Sequence, residues 1–187
     1  MRAGIMTGAA VVGLAILAAA CTTPSGPALS PEASSATPQM AAETRFTMNS
    51  WGQPLAAWSV KPDGSGTWAD SQPRNGNFTD RMIILHTLPA DPAAAAALAQ
   101  ILARLPATPP TADGCRERIT DQPYGELILP RSAGTTTYRY DAGCLDAPYA
   151  AYIQVLRQAN EHVAARGRVA PVSPPQPPPE GPRQINR

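Results

Sequence analysis

The sequence predicts an α+β fold, an antiparallel sheet with two helices packed on one face and one disulfide. Three observations carry this. Segments of strand-type residues are joined by tight-turn signals such as Pro62-Asp63-Gly64-Ser65-Gly66 and Arg74-Asn75-Gly76-Asn77. Two stretches of helical spacing interrupt and close them, so the order is strands, helix, strands, helix. Cys115 follows the first helix and its connector, and Cys144 precedes the second, so a bond between them would pin the two halves together.

The first strand is announced by Phe46 and Met48 alternating with polar residues, until Trp51-Gly52-Gln53-Pro54 breaks the pattern. Residues 55–61 and 67–71 flank the first strong turn signal as a hairpin. Residues 78–88 form the most apolar strand. Its run Met82-Ile83-Ile84-Leu85 is too continuous for a half-exposed position and is expected at the centre of the sheet. Asp91-Pro92 then supplies an N-cap residue and a proline for the first helical turn. Leu98, Ile101, Leu102 and Leu105 repeat at helical spacing, and Pro106 ends a helix expected over about 92–105. The alanines before Leu98 let it lie close against the sheet.

After a Pro-rich connector at 107–114, strands are expected at 116–120, 126–131 and 135–141. Ser132-Ala133-Gly134 turns between the last two, and Thr136, Tyr138 and Tyr140 share one face of the last. Asp146 is expected to cap a second helix reaching about Arg166 and closed by Gly167, with Tyr149, Tyr152, Ile153, Leu156 and Val163 as its apolar stripe.

Ahead of this domain stands a different kind of sequence. Met1-Arg2 is followed by an uncharged run dominated by Ala, Val, Ile and Leu, and small residues then lead up to Cys21. This is the layout of an export signal. Leu17-Ala18-Ala19-Ala20-Cys21 resembles the lipobox of bacterial lipoproteins, with Ala18 where the commonest pattern has Leu. The resemblance covers residues 1–21 only. It implies that residues 1–20 are a signal peptide and that Cys21 is lipidated. The chain would then be held in the cell envelope by acyl chains that give lasting attachment. Thr22 after the lipidated position, by likeness to lipoprotein sorting in Gram-negative bacteria, implies the outer membrane, with the body facing the periplasm. Residues 21–42, rich in Pro, Ser, Thr and Ala, read as a disordered tether, 43–168 as a single domain, and 169–187 as a disordered, polyproline-type tail.

Composition narrows the function classes. A net charge of +1 creates no global field for nucleic acid. Of three cysteines, Cys21 is assigned to lipid, which leaves Cys115 and Cys144 as an even pair in an oxidising compartment and so a disulfide. No zinc spacing, nucleophile elbow, Cys-His arrangement or phosphate loop appears, so no metal and no cofactor are expected. The acidic turn at Asp63 with Asp70 lacks the ligand spacing of a calcium loop. His86 and His162 read as structural residues of a strand and a helix end. Glu117 with Asp121 or Glu126 can be combined into an acid/base pair, though their spacing is equally that of solvated surface charges.

Trp51, Trp58, Trp68, Tyr138 and Tyr140 are the candidate recognition set. On an exposed face they would stack on a glycan or anchor a protein partner. Otherwise they supply bulk to a core poor in large side chains. The reading that follows is a non-catalytic binding module in the envelope, with an envelope hydrolase acting on a cell-wall or small exported substrate as the alternative.

Overall fold

The computed structural model describes residues 38–174, all of which fall within one compact unit. Cys21, the signal-peptide assignment, most of the tether and the tail beyond Pro174 lie outside the described residues. The elements are β1 (Thr44–Ser50), β2 (Gln53–Val60), β3 (Gly66–Arg74), β4 (Asn77–Leu88), α1 (Pro92–Leu102), β5 (Tyr124–Arg131), β6 (Gly134–Asp141) and α2 (Ala147–Gly167). This is the expected strand–helix–strand–helix order. The six strands form one antiparallel sheet in the order β4-β3-β2-β1-β5-β6.

Turn chemistry sets the registers. Asn75 (φ 52°) and Gly76 (φ 73°) both adopt left-handed backbone between the paired Arg74 and Asn77, the geometry that an Asn-Gly hairpin favours. In the longer turn, the Asp63 carboxylate accepts from the Ser65 N–H and hydroxyl, which fixes a turn rather than a metal loop and holds the Asp63 pKa low.

The registers place one large side chain per strand in a single transverse row. His86, Trp68, Trp58, Phe46, Leu127 and Tyr138 stand directly opposite one another in succession across all six strands. All but half-buried His86 are buried. Phe46 stacks on Trp58 at 5.3 Å between centroids and on Tyr140 at 5.7 Å. Contacts of this kind contribute about 0.5–1.5 kcal/mol each beyond simple burial. The Tyr138 hydroxyl, at the far end of the row, accepts from Arg131 (2.6 Å) and donates to the Pro106 carbonyl (2.7 Å). Trp58, Trp68, Tyr138 and Tyr140 are thus core residues and not a recognition surface. In a chain with so few aromatics, they are the side chains large enough to fill the space beneath the helices.

α2 lies over this row. Its Gly167 is buried against the Trp68 ring, where any Cβ would meet the ring carbons. That close approach, not a left-handed C-cap, is the reason for glycine there, because the helix includes Gly167 and Arg168 follows in right-handed backbone. α1 packs against α2, with His162 Nε2 hydrogen-bonded to the Ala94 carbonyl at 2.9 Å. Asp91 caps α1 as expected, accepting from the Ala94 N–H at 2.9 Å. α1 itself stops at Leu102, and tight bonds from Arg104 N–H to Ile101 O and from Leu105 N–H to Leu102 O carry buried Leu105 into the core.

Three expectations change. β4 is not central but lies at the sheet edge, and Met82 and Ile83 are exposed at 44% and 49%. Its continuous apolar run reflects partial cover on both faces rather than a central position. Residues 116–120 make no strand, only an isolated bridge between Arg118 and Cys144. The tail expected to be disordered from Val169 is hydrogen-bonded to β4 as far as Ser173.

Candidate functional site

β1 and β2 are joined by two residues, Trp51 (φ 52°) and Gly52 (φ 71°), between the paired Ser50 and Gln53. Both positive φ values define a tight mirror-image turn, whose usual first residue is Asn, Asp or Gly. A bulky residue there is a genuine outlier, since left-handed backbone costs L-residues about 1–2 kcal/mol. Trp51 is nevertheless 77% exposed, so the ring does not recover that cost by burial. Local strain at an exposed aromatic is a pointer to function.

Tyr124, which opens β5, stands beside this turn, and its hydroxyl accepts from the Gly52 N–H at 3.2 Å. The facing wall is the loop before β5. Trp51, Ile119 and Tyr124 are exposed apolar side chains around one cleft of about 350 Å³, whose polar lining includes Arg118, Asp121, Gln122 and Asp141. Asp121 also has left-handed backbone (φ 63°). The Arg118 guanidinium is held by Asp141 at 2.7 Å and by the Ala112 carbonyl at 3.1 Å. The site therefore presents a flat aromatic face beside fixed donors and acceptors, a combination that suits recognition of a ligand with both apolar and polar surfaces.

The loop wall is built by the disulfide. Cys115 and Cys144 are bonded, with Cα atoms 5.9 Å apart. Beside them, Ile119 N–H donates to Gly143 O (2.9 Å) and Leu145 N–H to Glu117 O (2.8 Å). Asp146 stands at the N-cap of α2 but makes no side-chain bond to its own helix. Its oxygens accept instead from the N–H groups of Arg116 (3.1 Å) and Glu117 (3.2 Å), which holds its pKa below the usual carboxylate value. Asp146 and the two sulfurs lie within 4.8 Å of one another. The sulfurs are spent on each other and the carboxylate on backbone donors, so the grouping works as a clamp.

The remaining sequence candidates lie elsewhere. Glu126 faces Arg139 across the β5–β6 pair, 3.9 Å away, while Glu117 and Asp121 belong to the loop wall. His86 is hydrogen-bonded to the Ala170 carbonyl (3.0 Å) and lies 5.0 Å from the Trp68 ring. Of the five aromatics in the recognition set, only Trp51 is at a surface site. Nothing in the local sequence marks Tyr124 and Ile119 as its neighbours. The one available signal was Trp-Gly at the two-residue spacing of a hairpin.

No family model, curated protein or solved structure matches this chain.

Proposed function

We propose that the chain is a membrane-anchored envelope lipoprotein whose domain is a non-catalytic binding module, with the Trp51 cleft as its contact surface. The observation that carries this reading is the exposed Trp51 held in strained backbone at a two-residue turn. Folding alone gives no reason for a tryptophan there, whereas an envelope glycan or protein partner does.

The placement suits an anchored protein. Pro38 and Met40, where the tether would enter, lie beside Leu102, Leu129 and Ser132. That is the Thr44 end of β1, and Trp51 lies just beyond the Ser50 end, a strand length of roughly 23 Å away. The chain thus enters the domain at the end of β1 opposite the Trp51 turn. Among the described residues, no helix is long and apolar enough to cross a membrane.

The hydrolase alternative gains little support from the carboxylates. Those whose pKa values move, at Glu43, Asp63, Asp146 and Glu161, all move down through hydrogen bonds to Arg45, Ser65, the Arg116 and Glu117 amides, and Arg168. That direction keeps a carboxylate ionised, not poised as a general acid.

A photo-cross-linking residue at position 51, in the anchored protein, is expected to capture an envelope component that the same residue at Ser132 does not. Equal capture at both positions would remove Trp51 from the reading. Separately, Cys21→Ala is expected to abolish palmitate incorporation, and normal labelling of that variant would remove the lipid anchor.

A further inference from the structure

β4 lies at the sheet edge, yet part of its outer side is already paired. Thr87 N–H donates to Pro171 O (3.0 Å), Ser173 N–H donates to Leu85 O (2.7 Å), and Val172 forms an antiparallel bridge with His86. The Thr87 and Ser173 hydroxyls add a bond of 2.7 Å, and the Ala170 carbonyl takes the His86 ring. These bonds fix parity: the peptide groups of Leu85 and Thr87 point outward, and so do those of Ile83 and Arg81. Among the described residues the pairing reaches Ser173, next to exposed Ile83 and Met82, which lie on opposite faces of the strand.

We propose that the β4 edge is a strand-accepting surface whose other occupant is β4 of a second copy of this chain, and that Pro171–Ser173 keep that copy out. Two identical strands pair antiparallel about a twofold axis normal to the sheet, and such an interface closes as a dimer. Centred on Ile83, the pairing sets Ile83 against Ile83, Arg81 against Leu85, and Met82 against Ile84 on the other face. The apolar residues then meet at the axis, and each outward-facing pair exchanges two hydrogen bonds. This register needs the Leu85 carbonyl that Ser173 occupies.

Other registers fare no better while the segment is in place. Pairing centred on Arg81 already brings Asn77 opposite Leu85, into the line that Ser173 fills. Pairing centred nearer Asn77 falls where the β3–β4 register slips between Pro73 and Arg74. The segment therefore excludes the registers centred on Ile83 and on Arg81. On its own outward side the segment is a limited template, because Pro174 has no N–H to offer a further strand.

The test compares four chains in the same detergent by sedimentation over a wide concentration range: the full chain, a chain ending at Ala170, that truncated chain carrying Ile83→Lys, and the full chain carrying Ser173→Pro. The full chain is expected to be monomeric and the truncated chain to double in mass. Ile83→Lys should return the truncated chain to monomer by placing two ammonium groups at the axis. Ser173→Pro, which removes the N–H donated to Leu85 and the hydroxyl bonded to Thr87, should give a dimer fraction that rises with concentration. The proposal is overturned by a full chain that is already dimeric, by a truncated chain and a Ser173→Pro chain that both stay monomeric, or by a dimer that survives Ile83→Lys.

Discussion

Trp51→Asn separates what Trp51 does for the fold from what it does for binding. The native backbone at position 51 is left-handed, and Asn tolerates that conformation where Trp bears about 1–2 kcal/mol. Against this gain stands the burial that is lost. With 77% of the residue exposed, about a quarter of its surface is covered. For a side chain of roughly 250 Å² that is ~55 Å², worth about 1.4 kcal/mol at 25 cal/mol/Å². The two effects nearly offset, so the variant should unfold within about 1 kcal/mol of the parent, a melting shift of only ~3 °C for a domain of this size. Core truncation at Trp58 or Trp68 should instead cost about 3–5 kcal/mol. The assay is paired: thermal and urea unfolding of the Asn variant, and retention of the envelope component captured at position 51. A destabilisation above ~2 kcal/mol would show that the ring holds the turn together, and unchanged retention would show that it is not the contact. Either result refutes the reasoning.

Three further outcomes follow from the same geometry. Replacing Cys115 and Cys144 together by Ala frees a loop closed over a sequence separation of 29 residues. On chain entropy this should lower stability by about 3.5 kcal/mol and the melting temperature by roughly 10–15 °C, and a melting point within ~2 °C of the parent would contradict it. Gly167→Ala, which in an open helix gains up to ~1 kcal/mol, should instead cost about 1–3 kcal/mol because the new Cβ meets the Trp68 ring; a raised melting temperature would show that α2 can move aside. Asp146, whose folded pKa is lowered by two backbone N–H groups, contributes stability that is present above the unfolded value of about 3.9 and lost as pH falls through the lower folded value. Between pH 6 and pH 2 the parent should therefore lose more stability than Asp146→Asn, and parallel pH profiles for the two would refute this.

Local signals carried most of the fold. Asn75-Gly76 needed only its own backbone preference to define a hairpin, and Asp91-Pro92 with the leucine spacing needed only capping and periodicity. What they could not carry was strand order. Residues 82–85 are apolar enough for a central strand, but which strand becomes central depends on β5 returning beside β1, a pairing between residues some 80 positions apart, such as Phe46 and Leu127. The candidate site was hidden for the same reason. Trp51 stood among five aromatics of equal promise, and its distinction lies in a backbone angle and in the approach of Tyr124 and Ile119 from a distant loop. Asp146 does open a helix, as its residue type and position imply, but its carboxylate is claimed by the loop that the disulfide brings alongside.

The two edges of the sheet are closed by different means, and the difference decides which one can open. At β6, the Asp141 N–H donates to the Tyr149 hydroxyl (2.9 Å), and the Tyr152 hydroxyl donates to the Arg139 carbonyl (3.0 Å). Both tyrosines are buried on α2, and burial raises their pKa values, so the hydroxyls stay protonated across the accessible pH range. Freeing that edge means moving a helix whose face also covers Trp68 and whose His162 is tied to α1, at a cost comparable to unfolding the domain. At β4 the cover, among the described residues, is a short segment beyond the last helix, held by two backbone bonds and the contacts of Thr87 and His86. At about 0.5–1.5 kcal/mol net per hydrogen bond, it can leave while the rest of the sheet stands. Hydrogen exchange should register this asymmetry directly. The Thr87 amide, bonded to Pro171, should exchange through a local opening that truncation at Ala170 makes permanent, while the Asp141 amide should exchange only with the domain as a whole. Similar protection at the two amides would mean that the C-terminal segment is as integral to the sheet as α2, and the β4 edge would then have no open state in which to accept a second strand.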